Sequence, residues 1–335
     1  MKIAVDAMGG DYAPHEIVRG TALFMREYPG VSILLAGDEN LLRKVCAKAG
    51  ISNSNLPEII HTTECVSMGE SPLRALKDKK NSSILKAVEA IENGEAEALV
   101  SFGNTGVTVA AVTLKLGLLE GVSRAGIAAP FPSKSGRSVV IDVGANTTFN
   151  PRHLVGYALM ASRYCEEVYH IRNPRVGMLN VGEEIGKGHR TAKATFKELE
   201  KVDINYCGNA EGDDIFKGGF DVIVCDGFTG NAILKTSEGL AIELMDLLRK
   251  SLVSRLRYRL GALLCKPAFS SMVNKMDAKE YGGAPLLGVN GICIIGHGKS
   301  DARAVYNALK VASEAATNKL NTKILTSIEA YRNDG

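Results

Sequence analysis

The sequence predicts an α/β fold, a largely parallel sheet flanked by helices on both faces. Short β-like runs alternate with helical stretches along most of the chain, the rhythm that builds βαβ units. Five of the turns that follow strands are rich in Gly and polar residues, as turns at a ligand-bearing sheet edge are. Asn290-Gly291 is a hairpin-type pair, which predicts one antiparallel pairing near residues 285–295.

In chain order, residues 3–5 form the first strand, followed by a Gly-containing turn and a helix at 15–27. A strand at 31–36 leads to a helix at 39–49, and 58–61 is another short strand. Residues 81–93 are helical, because Ile84, Leu85, Val88 and Ile91 recur at helical spacing. Strands at 98–100 and 138–143 each precede a helix, at 107–116 and 152–165. Strands follow at 176–181, 204–207 and 222–225, then a long helix at 231–250. A strand at 292–295 and a helix at 301–314 complete the pattern. No Pro/Gly/Ser linker interrupts it, so residues 1–335 read as a single unit.

A chain of 335 residues that is 45% hydrophobic and 23% charged buries a sizeable core, which excludes disordered, collagen-like and disulfide-scaffold classes. No apolar run approaches the roughly 20 residues needed to span a bilayer. Met1-Lys2-Ile3-Ala4-Val5-Asp6 puts an acid where a secretory signal core would continue, and the seven Cys include no C-x-x-C, so a cytoplasmic location is expected. The six His are isolated and none pair at i, i+4, so no metal site is expected.

The net charge of +3 is too small to argue for a nucleic-acid partner. Its distribution is uneven. Residues 247–276 hold seven cations and no acid, so the rest of the chain is net negative. On a helical wheel Leu248, Leu252, Leu256, Leu260 and Leu263 share one side, with Val253 and Leu264 at its margin. Lys250, Arg255, Arg257 and Arg259 flank that arc, and Arg249 falls inside it. This is the pattern of an interfacial helix, with Leu252, Val253, Arg255, Leu256, Arg257, Arg259, Leu260, Leu263 and Leu264 as membrane contacts. A helix packed on a partner subunit explains the pattern equally well. Gly261 and Pro267 are expected to break the segment into two pieces.

The polar turns are 6–11, 101–106, 142–146, 182–188 and 226–231, and together they predict one polar cleft along one sheet edge. Taken singly, each is an ordinary Gly turn. The 101–106 turn is the best anion site: backbone N–H groups at a helix start, with Ser101, Gly103, Asn104, Thr105 and Gly106 around the anion. A plain N-cap at Asn104 or Thr105 is the structural alternative. The 182–188 turn has three residues between its first glycines, with Gly188 after Lys187, and so fails the P-loop pattern. Lys187 still suits a phosphate or an oxyanion, and Glu183 and Glu184 are its partners or only a solvated ion pair. Cys225 reads as a buried strand-end thiol more than as a nucleophile. His297, in Gly296-His297-Gly298, is a candidate acid or base. The chain has neither a G-x-S-x-G elbow nor a G-x-G-x-x-G fingerprint.

Residues 3–11, with Tyr12-Ala13-Pro14 following, resemble the opening signature of the bacterial phosphate acyltransferase (PlsX) family. Glu70-Ser71-Pro72 leading to Lys79-Lys80-Asn81-Ser82-Ser83 is similar to its second block. The 101–106, 142–146, 173–177, 182–188, 225–231 and 281–288 segments look like further blocks, in order. Phe102 stands where a small Ala is usual, Ile185 replaces an acid, and Thr148-Phe149 replaces an Asp-Cys pair.

The resemblance implies an isocitrate/isopropylmalate dehydrogenase-like and phosphotransacetylase-like fold and a homodimer. It implies transfer of a fatty acyl chain from acyl-acyl-carrier protein to inorganic phosphate, for phosphatidic acid and phospholipid synthesis. Phosphate is the nucleophile in such a reaction, so neither a covalent enzyme intermediate, nor a cofactor, nor a metal is expected. Lys187, Asn231 and His297 are then the candidates for catalysis, with Asp6, Gly9, Gly10, Asp11, Asn180, Glu183, Glu184, Asp226 and Thr229 lining the cleft. Transient contact with an anionic membrane, and hand-off to a membrane glycerol-3-phosphate acyltransferase, are expected for a long-chain acyl phosphate. Rival readings are an acetyl-CoA phosphotransacetylase, a metal- and NAD-dependent hydroxyacid dehydrogenase, and a non-catalytic membrane scaffold.

Overall fold

The computed structural model describes residues 1–52, 55–184, 186–188, 190–269 and 282–333. The chain begins β1 (Lys2–Asp6), α1 (His15–Glu27), β2 (Ser32–Gly37), α2 (Glu39–Lys48), β3 (Glu58–His61), α3 (Pro72–Asp78), α4 (Ser83–Glu92), β4 (Ala98–Ser101) and α5 (Thr105–Leu116). It continues β5 (Gly126–Ser133), β6 (Gly136–Ile141), α6 (Pro151–Tyr169), β7 (Arg175–Leu179), α7 (Arg190–Leu199), β8 (Asn205–Ala210), α8 (Asp214–Lys217) and β9 (Val222–Val224). It ends α9 (Gly227–Val253), α10 (Leu256–Leu264), β10 (Ala284–Leu287), β11 (Ile292–Ile295), α12 (Ala302–Thr317) and α13 (Leu320–Asn333).

Among the described residues the strands form one sheet in the order β3-β2-β1-β4-β11-β10-β5-β6-β9-β7-β8. Two cores cover its two faces. Ile3 and Val5 of β1 point into one, with α1, α2, α6, α12 and α13; Ala4 and Leu34 point into the other, with α4, α5 and α8. Strands buried on both faces read as continuous apolar runs, which is why the central strands were legible as such.

The sheet is largely parallel, with three consecutive antiparallel pairings in its middle. β3, β2, β1, β4 and β11 run together, as do β6, β9, β7 and β8. Between these halves β10 runs antiparallel to β11 and to β5, and β5 antiparallel to β6. The two parallel halves therefore run in opposite directions. The antiparallel pair expected near 285–295 is the β10–β11 pair. The β5–β6 hairpin was not expected, because Pro130 and Pro132 argue against a strand. Both prolines lie where β5 has run past β10 and bonds only β6, so their missing N–H groups face no neighbouring strand.

The basic segment differs from expectation. Its break falls at Ser254 and Arg255, where Arg255 is extended (φ −139°, ψ 145°), and Gly261 lies inside α10. Pro267 does mark a boundary: α10 ends at Leu264 and helix resumes at Lys266. The single apolar arc is thereby divided between two helices. Leu248 and Leu252 on α9 line a groove with Leu263 on α10, while Leu256, Leu260 and Leu264 face outward. Residues 270–276 of the segment, and Tyr281 of the 281–288 block, lie outside the described residues.

Candidate active site

The polar turns fall into two sets rather than along one edge, because strands of opposite direction carry them. β1, β4 and β11 deliver the 6–11 turn, the 101–106 turn and His297; β6, β7 and β9 deliver 142–146, 182–188 and 226–231.

The first set is built around Asp6. The β1–β4 register places Asp6 beside Ser101 at the strand ends. Asp6 is buried, and its carboxylate accepts bonds from Ser83 Oγ (2.6 Å) and Ser101 Oγ (2.8 Å). Burial pushes its pKa up, against the two hydroxyl bonds. A carboxyl whose folded pKa is raised favours folding most while it is protonated, below its unfolded pKa, and that contribution is lost as pH rises through the folded pKa. Asp6→Asn should therefore show a smaller fall in stability between mildly acidic and alkaline pH than the wild type, as read by urea unfolding; an unchanged pH dependence would assign the fall to other groups.

Ser101 Oγ also accepts from Gly103 N (3.2 Å), so this side chain braces the turn from below. Gly9 and Gly103 lie back to back: a Cβ on Gly9 would sit 2.7 Å from Gly103 N. Asn104 caps α5 by accepting from Val107 N (3.1 Å). Its amide donates to the carbonyls of Met68 (2.8 Å) and Glu70 (2.9 Å), which holds the 67–70 segment against the turn. Lys79 fixes the same segment through Glu70 (2.7 Å) and the Cys65 carbonyl (2.7 Å). Thr105 and Gly106 are exposed in the first turn of α5, where helix N–H groups need outside acceptors. Asp11 N donates to Gly298 O (2.7 Å), which brings the β11 turn alongside. His297 is exposed there, its Nδ1 accepting from Lys299 N.

The second set is built around Asp142. This buried carboxylate accepts from the backbone N–H groups of Ile127, Gly144, Ala145 and Asn146 and from Asn146 Nδ2, at 2.9–3.2 Å. The first turn of α9 packs directly on it. A Cβ at Gly227 would meet Asp142 Oδ2, and one at Gly230 the Asp142 carbonyl. Asp226 caps α9, accepting from Phe228 N, Thr229 N and Thr229 Oγ1, so the expected 226–231 turn is instead the start of a helix. Asn231 faces Gly144. Asn180 donates to the Lys187 carbonyl (3.1 Å) and so shapes the 182–188 turn. Lys187 and Glu184 are 3.6 Å apart and both more than half exposed, a solvated pair that restrains the ammonium little.

The structure thus assembles Asp6, Gly9, Gly10, Asp11, the 101–106 turn and His297 in one place; on the other half of the sheet Asp226, Thr229 and Asn231 gather at the Asp142 turn, and Asn180, Glu183, Glu184 and Lys187 at the end of the neighbouring β7. Ser83, Lys79, Glu70, Asp142 and Asn146 lie in segments that the motifs marked, but spacing assigned them no organising role: Ser83 acts through Asp6, Lys79 through Glu70, Asn146 through Ala125, and Asp142 through Ile127 and its own turn.

Cys225 is buried at the end of β9, its thiol against the Asp142 carbonyl (3.5 Å), and burial beside Asp226 and Asp142 pushes its pKa well up. It is a poor thiolate. Cys225→Ala should keep most activity and lose only packing; isolation of an acyl-Cys225 species, or a folded but inactive variant, would contradict this.

Among the described residues no group of His, Cys, Asp and Glu is arranged to hold a metal, and no helix is long and apolar enough to cross a membrane.

A family model described as "Fatty acid synthesis protein" matches residues 1–323. The chain is 45% identical over 336 residues to a phosphate acyltransferase of Pelotomaculum thermopropionicum, covering 100% of this chain and 97% of that one. It is 44% identical over 335 residues to a phosphate acyltransferase of Aquifex aeolicus, covering 100% and 99%. Its fold is similar to a phosphotransacetylase from Streptococcus pyogenes (TM-score 0.67, 18% identity, covering 95% and 94%). It is also similar to the EutD phosphotransacetylase from Staphylococcus aureus (TM-score 0.61, 15% identity, 94% of each chain). These place the architecture in the fold group that the motifs implied. With full-length identity of this order to phosphate acyltransferases, and a family model spanning nearly the whole chain, the chain belongs to the phosphate acyltransferase family and is an enzyme of fatty acid and phospholipid synthesis.

Proposed function

We propose that the enzyme transfers a fatty acyl group from the thioester of acyl-acyl-carrier protein directly to inorganic phosphate. The supporting observation is the start of α5, where Thr105 and Gly106 lie exposed over the back-to-back glycines Gly9 and Gly103. Backbone N–H groups at such a helix start suit an oxyanion of phosphate. Ser101 and Asn104 shape this cradle rather than reach into it, since both side chains are already engaged.

In the reaction a phosphate oxygen attacks the thioester carbonyl carbon. The C–S bond breaks, the electron pair leaves on the pantetheine sulfur, and acyl phosphate forms. The protein orients phosphate, stabilises the tetrahedral oxyanion and assists the departing thiolate. Lys187 is the proposed oxyanion partner, with Asn231 at the Gly144 turn and His297 beside the 101–106 turn as further candidates. The proposed reaction needs both sets of turns, so a carrier-borne thioester has to reach both.

The assay is purified protein with palmitoyl-acyl-carrier protein and phosphate, scoring acyl phosphate. Turnover with acetyl-CoA but not with the carrier protein would overturn the donor assignment and favour phosphotransacetylase chemistry.

The α9–α10 arm is proposed to serve both a homodimer and the membrane. Of the 27 residues of α9 only Gly227 and Gly230 are buried, and Leu240, Ile242, Leu244 and Leu247 stand exposed. Leu240, Leu244 and Leu247 share one face of the helix at i, i+4 and i+7, and an exposed apolar stripe of this kind marks an interaction site. The length of α9 suits a partner subunit. The tip, with Leu256, Leu260 and Leu264 exposed beside Arg255, Arg257 and Arg259, suits an anionic bilayer, from which product passes to a membrane glycerol-3-phosphate acyltransferase. Wild-type protein should float with anionic vesicles at low salt and less as salt rises, and Leu260→Glu should not float. If Leu260→Glu instead splits the dimer and leaves vesicle binding intact, the tip belongs to the interface.

A further inference from the structure

The segment that joins β3 to α4 lies as a strap against the 101–106 turn. Between Cys65 and Glu70 every polar side chain of the strap has a partner. Cys65 Sγ donates to the Met8 carbonyl (3.3 Å), Ser67 Oγ donates to Glu70 (3.4 Å), and Lys79 holds Glu70 (2.7 Å). The Met68 and Glu70 carbonyls accept from Asn104, but the Cys65 and Lys79 bonds hold the strap independently of that side chain. Pro72 packs on the start of α5, where a Cβ on Gly106 would lie 3.1 Å from Pro72 Cγ. The exposed large apolar side chains of the strap are Met68 (44%) and Leu73 (81%). Met68 reaches the turn after β11, since a Cβ on Gly298 would lie 2.6 Å from Met68 Cε and 3.8 Å from Asp11 Oδ1. Tyr12, next to Asp11, is exposed as well. There is room beside Met68, because a Cβ on Gly69 would meet nothing within 4 Å. Farther along α3, Arg74 and Asp78 pair with each other (4.0 Å).

We infer that Met68 and Leu73 hold the first methylenes of the fatty acyl chain, so that the strap is the wall of the site that selects for chain length. The inference rests on the proposed attack of phosphate on a fatty acyl thioester and deepens it. The chain is bonded to the carbon that phosphate attacks, and reacting atoms approach to about 3–3.5 Å. A chain whose carbonyl meets phosphate at the start of α5 therefore leaves past the residues that border that start, which are those of the strap and of the Gly298 turn. A polar occupant gains little there, because the polar side chains from Cys65 to Glu70 are already engaged. A methylene chain gains burial against two exposed apolar side chains, and the unbranched, flexible Met68 adapts to the neighbour it meets.

Methionine-methyl NMR of the full-length protein provides the test, because Met68 is itself the reporter. Its signal is assigned by its loss in Met68→Leu. The probes are decyl phosphate and methyl phosphate, which share a headgroup and differ only in the chain. Decyl phosphate is expected to shift the Met68 signal, and methyl phosphate at the same concentration to leave it in place. In Leu73→Ser, a change at an exposed position, the decyl phosphate Kd should rise about tenfold, equivalent to about 1.4 kcal/mol. The preference in kcat/KM for palmitoyl- over butyryl-acyl-carrier protein should fall by a similar factor. A Met68 signal that decyl phosphate leaves unmoved, or that methyl phosphate moves as far, would overturn the inference, as would a wild-type decyl phosphate Kd in Leu73→Ser. Loss of the shift in Leu260→Glu places the chain on the α9–α10 arm, and a Met68 signal that moves on dilution places a second copy of this chain over the strap; either result overturns it too. The probes carry no thioester. Inactivity of wild-type protein with acyl-carrier protein therefore counts against the proposed reaction, whereas the Met68 shift reports the strap alone.

Discussion

Asp142→Ala is expected to lower the stability of the protein by about 3–5 kcal/mol. The substitution orphans four backbone N–H groups that now converge on a single buried carboxylate, while Asn146 Nδ2 keeps its bonds to the Ala125 carbonyl and Tyr157 Oη. Each buried donor left without a partner costs on the order of 1–3 kcal/mol, and partial access to water at the 144–146 turn reduces the sum to about 3–5 kcal/mol. That is a large part of the roughly 5–15 kcal/mol that holds a domain folded. The damage reaches the second set of turns as well, because Gly227 and Gly230 at the start of α9 rest on this residue. Urea unfolding of Asp142→Ala and Asp142→Asn checks the prediction. Asp142→Asn retains one accepting oxygen and should fall between the alanine variant and the wild type. Two variants of wild-type stability would show that the carboxylate organises nothing.

Asn104→Ala should have the largest kinetic effect of any substitution in the 101–106 turn that leaves the chain folded. The side chain caps α5, worth about 1 kcal/mol, and also ties the 67–70 segment to the turn. Without that tie the exposed N–H groups at Thr105 and Gly106 lose their fixed direction, and a displacement of about 1 Å at a reacting group can cost about 100-fold. The phosphate KM should rise by roughly 10–100-fold with the acyl-donor KM unchanged. Asn104→Ser separates the two roles: it restores the cap and the melting temperature, but it does not reach the Met68 and Glu70 carbonyls, so the phosphate KM stays high. A wild-type phosphate KM in Asn104→Ala would move the anion away from α5.

The alternation of strands and helices was legible because it is local. Apolar runs such as Ile3-Ala4-Val5 and Ala98-Leu99-Val100 are buried on both faces, and α4 shows its apolar spacing without help from any neighbour. The family was legible for a related reason: Gly9, Gly10, Gly103 and Gly227 occupy turns where a Cβ would meet another backbone or a buried carboxylate, so the motif records a steric requirement. The β5 strand was hidden, because whether Pro130 and Pro132 are tolerated depends on where β10 stops. The long helix α9 was placed four residues late, because Gly227 and Gly230 read as turn residues until Asp142 packs against them. The break at Ser254 and Arg255 carries no Gly or Pro to announce it. What the sequence by itself determined is which residues sit at strand ends and that they are polar and Gly-rich. Only the tertiary structure decided which of them meet. Strand direction is set by pairing across the sheet, and the antiparallel β10 and the β5–β6 hairpin reverse it, so turns alike in sequence become two separate sets, one around Asp6 and one around Asp142.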